Sequence, residues 1–415
     1  MIPRFKPAID GGDLAAAFGA RADSVPTFER AFAKQFGAPE AIAFNYGRGA
    51  LFALCKALGL DGAEVVMPAY TCSVVAHAVT VSGNRCRFVD RESRGYNMDL
   101  SLLEGAINEH TRMVIPTHLF GFPADIDRIQ AIVDQAAARY GRKIWVVQDC
   151  AHSFGARWQG RQVTAAGDVA LFGLGISKMM TSIFGGMLTT SDASLATAVR
   201  SWRDTHFSQP SRSARLSQQA YLVAATAAFS GPLYGLVRWL QDETPVLDSL
   251  TKAYHLDGQI RLPPDALASM STVEAKVGLS QLARYPEFEA RRQEHARYYR
   301  THLAPPPDWV LPADVDGATY SHFPIHVAER DATLKQFLGS GIQLGQLIEY
   351  SVPHLAEYGP ASADEFPNSW SASRHTINLP VHPDLSESDR ARVVEAVASL
   401  RVAVSSSPAV ATGPR

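Results

Sequence analysis

Two residues have the types and setting for chemistry: Lys178, at the end of Gly173-Leu-Gly175-Ile-Ser177-Lys178, and Asp149, which follows Trp145-Val-Val-Gln. Each follows a short apolar run, 144–147 and 169–174, of the kind that makes a fully buried parallel strand. A third run, 187–190, follows Gly185-Gly186. A carboxylate at a strand's C-terminal end sits on the edge where open α/β sheets bind ligands. An acid and a lysine on neighbouring strand ends suit pyridoxal phosphate (PLP). The amine forms a Schiff base with the aldehyde, and the acid keeps the pyridine nitrogen protonated so that the ring accepts electrons. Between Ser177 and Met179, in an apolar setting, the ammonium of Lys178 is disfavoured by desolvation, which leaves a usable nucleophile and base near neutral pH. The same pair also reads as a surface lysine beside an ordinary strand-end aspartate, and the local pattern leaves both readings open.

A second candidate lies near the start of the chain. The strand-like run 41–44 leads into Gly47-Arg48-Gly49 and then a helix to about Leu58. Free N–H groups at a helix N-terminus and the helix dipole together form an anion site, and Arg48 adds a fixed charge suited to phosphate. A glycine turn chosen only for tight packing explains the same residues. Tyr70 could set a ring against a flat cofactor, although a lone aromatic also fits the core. Competing motifs fail. The 173–178 run lacks the spacing of a P-loop or of a dinucleotide fingerprint, and there is no Gly-x-Ser-x-Gly elbow. His322 and His326 stand four apart in a strand-like run broken by Pro324, which gives a metal site little support.

The elements needed to position these residues are legible as alternating strand and helix signals. Strands are expected at 41–44, 64–67, 86–90, 113–117, 144–147, 169–174 and 187–190. Helices are expected in pieces over 11–37 and at 100–108, 126–140 and 193–202, and the run after Pro68 is expected to begin another. Such units at short spacing predict an α/β fold: a large domain with a mostly parallel central sheet covered by helices. The run 203–218 is polar and poorly patterned, and 244–269 reads as a long loop. Residues 272–303 read as a long amphipathic helix pair bent near Pro286. A smaller α+β C-terminal domain is expected from the strand-like 321–327, helix 331–339, a strand ending at 378–380 and helix 386–402. The expected division is 1–275, with an apolar insertion at about 203–269, then 276–403, then a disordered tail 404–415.

The chain has 415 residues, 46% hydrophobic, with a net charge of −2. It can bury a large core, and neither its charge nor any basic tract suggests nucleic acid as a partner. Four separated cysteines with no Cys-x-x-Cys pair suggest neither a disulfide framework nor zinc. A cytoplasmic setting fits, and the N-terminus lacks the apolar segment of a signal peptide. The uncharged stretch 220–237 has the length of a membrane span but is broken by Gly231-Pro232. It reads as two short buried helices or an interface hairpin ahead of a membrane contact.

Eight segments in order resemble the DegT/DnrJ/StrS family of PLP-dependent sugar aminotransferases: AIAFNYGRGAL, GAEVVMPAYT, FVDRESRGYNMD, VIPTHLFGFPADID, VVQDCAHSFGA, ISKMMTSIFGGMLTT, VEAKVGLSQL and INLPVHPDLSESD. The resemblance spans about 41–397 and implies PLP fold type I. By that resemblance Lys178 is the Schiff-base lysine and Asp149 the acid at the pyridine nitrogen. His152 stands where many members carry a glutamine beside the cofactor's ring oxygen, and Gly47 and Arg48 fall at the phosphate turn. The chain departs from the family at several places. Gly173 replaces a phosphate-binding serine, Gly175 a frequent histidine, and Cys72 the aromatic that stacks on the ring, leaving Tyr70 to offer a ring instead. The run ALASMST lacks the asparagine and arginine that relatives lend to a neighbouring subunit. Arg48, with Ser177, is expected to compensate in holding phosphate.

The resemblance implies a ping-pong transamination from an amino acid donor, glutamate in the family, to a ketone on a nucleotide-linked sugar. It also implies a homodimer with shared active sites. Family dehydratases replace the lysine with histidine, so Lys178 counts against that branch. The apolar 203–269 segment leaves open a lipid or other natural-product ketone, and a PLP-binding regulatory protein without turnover is the alternative from another class.

Overall fold

Short β-rich runs alternating with capped helices give a seven-stranded sheet in the computed structural model, which describes residues 1–19, 21–230, Tyr234 and 258–406. Its strands are β1 (Glu40–Phe44), β2 (Glu64–Pro68), β3 (Arg85–Val89), β4 (Thr111–Val114) and β5 (Trp145–Asp149), then β8 (Val169–Gly173) and β9 (Gly186–Thr190). A small hairpin, β6 (Arg157–Trp158) and β7 (Arg161–Gln162), precedes β8. The sheet order is β1-β9-β8-β5-β4-β2-β3. Strands β3, β2, β4, β5 and β8 pair in parallel, and β9 runs antiparallel to both of its neighbours. The exception follows from the connection: the chain turns from β8 into β9 through a short loop, with no crossover helix. That turn puts the start of β9 at the same sheet edge as the ends of β8 and β5.

Aspartates start the covering helices as their positions suggest. Asp99, Asp125 and Asp192 each accept a backbone N–H from the first turn of Leu100–Ala106, Ile126–Tyr140 and Ala193–His206. Successive β1 residues face opposite cores. Ile42 and Phe44 join Val65, Met67, Val147 and Leu188 on one side, and Ala41 and Ala43 join Phe28, Phe32, Phe36, Phe154 and Phe172 on the other. A separate apolar cluster surrounds a two-stranded sheet of β10 (Phe323–His326) and β11 (Thr376–Leu379).

Several elements depart from the sequence expectation. Residues 212–228 form one helix rather than an unpatterned stretch. Gln218 and Leu222, a turn apart, are its buried residues, so its inward stripe is too narrow to read as amphipathic. The expected helix pair at 272–303 is a single helix, Thr272–His302, that continues through Pro286. Its inward face, with Val277, Leu282, Tyr285, Phe288 and Tyr299, is buried on both sides of the proline, and this packing outweighs the lost backbone bond. The helix after β2 begins at Ser73, not near Pro68. An unforeseen helix, Pro367–His375, is capped from elsewhere: Asp90 accepts the N–H groups of Asn368 (3.0 Å) and Ser369 (2.7 Å). The last helix reaches Ser406, into the stretch expected as tail. The Gly231-Pro232 break, 244–257 of the expected loop and the tail beyond 406 lie outside the described residues. Among those described, no helix is long and apolar enough to cross a membrane.

Candidate active site

Asp149 closes β5 and pairs with Leu171 of the adjacent β8, so the two strands deliver their C-terminal ends side by side. The loop from β8 to β9 is drawn tight on itself. Leu174 N–H donates to the Gly185 carbonyl (2.9 Å), Ser182 N–H to the Leu174 carbonyl (2.9 Å), and Lys178 N–H to the Gly175 carbonyl (2.9 Å). Met179, Met180 and Ile183 are buried beneath it. The loop is also held from the start of helix Thr272–His302, where Glu274 accepts the N–H groups of Gly185 (3.4 Å) and Ser271 (2.8 Å). Lys178 therefore leaves a fixed backbone, and its Cε lies 3.4 Å from where a side chain on Gly173 would begin.

Asp149 is 3% exposed and makes no ion pair among the described residues. One carboxylate oxygen accepts the N–H of Ala151 (3.1 Å), and the other accepts the Thr117 hydroxyl (3.3 Å), itself 3.2 Å from the Thr71 hydroxyl. Burial pushes the Asp149 carboxyl up, opposed by the Ala151 N–H, the charge of Lys178 and Thr117. Burial pushes the Lys178 amine down. Cys72 and Asp149 oppose that shift, and Arg48 adds to it. Both groups thus lean toward their neutral forms, and a protonated ring nitrogen placed against Asp149 would restore its charge.

His152 extends the site. Its ring lies 6.3 Å from Phe120 and 5.6 Å from His322, and its buried Nδ1 has no partner among the described residues. Phe120 adopts a left-handed backbone conformation (φ 58°), a strain a bulky residue rarely carries. Burial first, then the charges of Lys178 and His322, hold His152 neutral.

The glycine turn serves packing and leaves an open helix start. Any side chain on Gly186 would begin 2.3 Å from the Gly47 nitrogen, and one on Gly47 would begin 3.1 Å from the Phe172 carbonyl, so the start of β9 and the turn require glycine to meet. Helix Gly47–Ala57 begins there. Its capping residue Tyr46 turns its hydroxyl to Asp265 (2.9 Å) rather than to the helix N–H groups. Arg48 lies 5.3 Å from the Tyr46 ring and acts on the charge of Lys178. Ser177 is exposed on the loop beside Lys178.

Tyr70 is placed differently from the expectation. It is fully buried, its hydroxyl donates to the Ile348 carbonyl (3.0 Å), and its ring meets Phe120 within the core around β10 and β11. Its hydroxyl and its ring are both engaged in that packing, with Phe120 between it and His152. Thr117 stands at the site without having been singled out as part of it, and Cys72, noted above for replacing a stacking aromatic, acts on the charge of Lys178. The strand-end position of Thr117 was a usable signal. The approach of Tyr350, whose hydroxyl lies 3.9 Å from the Cys72 sulfur, comes from a distant part of the chain and left no local trace. No group of three His, Cys, Asp or Glu among the described residues is placed to hold a metal.

The model of the DegT/DnrJ/EryC1/StrS aminotransferase family matches residues 14–230 and 264–398. The chain is 28% identical over 399 residues to the spore coat polysaccharide biosynthesis protein SpsC of Bacillus subtilis, covering 92% of this chain and 91% of that protein. It is 27% identical over 380 residues to the GDP-perosamine synthase of Caulobacter vibrioides, covering 89% and 88%. Its fold matches that of the sugar aminotransferase CalS13 from Micromonospora echinospora with a TM-score of 0.73, at 24% identity, over 96% of this chain and all of that one.

Proposed function

The chain belongs to the DegT/DnrJ/EryC1/StrS aminotransferase family, and from that premise we propose that it transfers an amino group from an amino acid, glutamate, to a keto sugar with PLP as cofactor. The observation that carries this reading is that Asp149 ends β5 while Lys178 lies in the loop that follows the adjacent β8, each acting on the other's charge and burial disfavouring both charged forms. The residues fit the cofactor. Asp149 lacks a cationic partner among the described residues, His152 presents an unpaired buried Nδ1, and helix Gly47–Ala57 starts without a side-chain cap, which suits an anion. When bound, PLP supplies an aldehyde for an amine and an electron sink for a substrate carbon.

In this reading Lys178 would hold the cofactor through its aldehyde, and its amine would serve as the base that moves a proton at the donor's α-carbon. Asp149, oriented by Thr117 and the Ala151 N–H, would hold the ring nitrogen in its protonated form. The Gly47–Gly49 N–H groups and Arg48 would hold the phosphate, with Ser177 as a further donor. The relatives named for spore coat polysaccharide biosynthesis and GDP-perosamine synthesis support a sugar acceptor. A second copy of the chain completing the site belongs to the same reading. Visible absorption of the purified protein with PLP, before and after glutamate, tests it. A band that glutamate bleaches is the expected result. A band indifferent to glutamate means another donor or a regulatory protein, and no band means that the turn does not hold this cofactor.

A further inference from the structure

One face of helix Thr272–His302 turns Arg292, His295 and Tyr299 inward. Arg292 is 4% exposed, yet it makes no ion pair among the described residues. Its Nη1 donates to the Ser321 carbonyl (3.0 Å), and its Nε has no partner. Ser321 in turn lies 3.1 Å from His322 through its hydroxyl, and the His322 ring faces His152 in the Lys178 site. His382 is held against that face by Pro380, two residues before it, whose carbonyl accepts the Tyr299 hydroxyl (2.8 Å); it is 3% exposed with no partner on either ring nitrogen, and Nε2 of the buried His295 has none. The nearby acids are engaged elsewhere: Asp384 pairs with Lys6 (2.9 Å) and Glu294 with Arg390 (2.7 Å).

This concentration of unanswered donors is unusual. Buried polar groups are nearly always hydrogen-bonded, and a buried guanidinium is costly unless an anion faces it. The groups form one electrostatic neighbourhood with the site. After burial, Arg292 and Lys178 depress His322 to about 3, and Arg292 depresses His382 to about 3. A planar fork of N–H donors flanked by neutral imidazoles matches a carboxylate.

We infer that Arg292, His322 and His382 form a carboxylate-binding recess beside Lys178, which takes the distal carboxylate of the amino donor or a carboxylate carried by the ketone acceptor. The inference rests on the aminotransferase reading above. Calorimetric titration of the PLP-loaded protein with succinate, a dicarboxylate without an amine, tests it, with the cofactor band recorded on the same samples. Succinate should bind the wild type, and its affinity should fall roughly tenfold or more in Arg292→Gln and in His382→Gln, with Arg292→Lys retaining part of it. His382→Gln removes no hydrogen bond present in the structure, so it decides the matter if Arg292→Gln fails to fold. Succinate that competes with glutamate marks the recess as the donor's, and succinate that binds without competing marks it as the acceptor's. No binding to the wild type, or affinity unchanged in the folded variants, overturns the recess. Absence of the cofactor band in the wild type removes the PLP reading instead, whatever succinate does.

Discussion

The chain segments beyond β4 and β5 run side by side, joined where Thr117 pairs with Asp149, and each delivers a buried histidine in a different state. His118 is fully satisfied. Its Nδ1 accepts the Ala124 N–H (2.9 Å), which leaves the proton on Nε2 to be donated to Gln148 Oε1 (3.0 Å). Burial holds it neutral, pushed down to about 4 against the Gln148 bond. His152 is as buried, but its Nδ1 is unpaired and it shares its surroundings with Lys178. The contrast separates a histidine whose two ring nitrogens fix a chain turn from one whose Nδ1 would be left to the cofactor under the proposed function. Under the proposed function, the unanswered atom beside an ionisable amine, and not burial alone, is what distinguishes His152 from His118.

The largest expected effect that would break this contrast is at Asp149. Asp149→Asn keeps the shape and removes the charge, so the half-reaction with glutamate should slow about 10²-fold or more while the melting temperature holds. A rate within a few-fold of wild type would move Asp149 to the structural side. His118→Ala should do the reverse. It strands Gln148 and the Ala124 N–H and opens a cavity, costing about 3 kcal/mol in denaturant unfolding, and leaves the rate per folded molecule unchanged.

Glu274 sharpens the comparison through pH. Burial raises its carboxyl from 4.5 to about 7, against the N–H groups of Ser271 and Gly185 and the side chains of Ser271 and Gln218. The folded-state value is the higher one, so this contribution is fully present below the unfolded value and is lost as pH rises toward 7. Over that window the stability of wild type relative to Glu274→Gln should decline by up to about 1.4 kcal/mol per pH unit. A flat difference across unfolding curves would show that the carboxylate is ionised in both states. The smallest effect is at Arg48, where Arg48→Ala should weaken PLP affinity about tenfold by spectroscopic titration. Unchanged affinity would leave phosphate binding to the Gly47–Gly49 backbone.

Much of this was present in the order of residues. Apolar runs of strand length, aspartate caps and glycine turns specify the sheet and its covering helices because these signals act within a few residues of chain. Lys178 and Asp149 stood out for the same reason, each closing an apolar run. What needed the third dimension was every decision made between distant segments. Tyr70 went to the core because the 348 region supplies a carbonyl for its hydroxyl. Helix Pro367–His375 exists with a cap from Asp90, and Pro286 is tolerated because both halves of its helix share one buried face. The gathering of Arg292, His322 and His382 had no sequence signature, since a buried cation is recognised by the missing partner around it. The sequence by itself determined most of the elements and brought forward Lys178 and Asp149 as candidates, through local propensity and period. Tertiary structure alone decided which polar atoms were answered, because that depends on what packs against them.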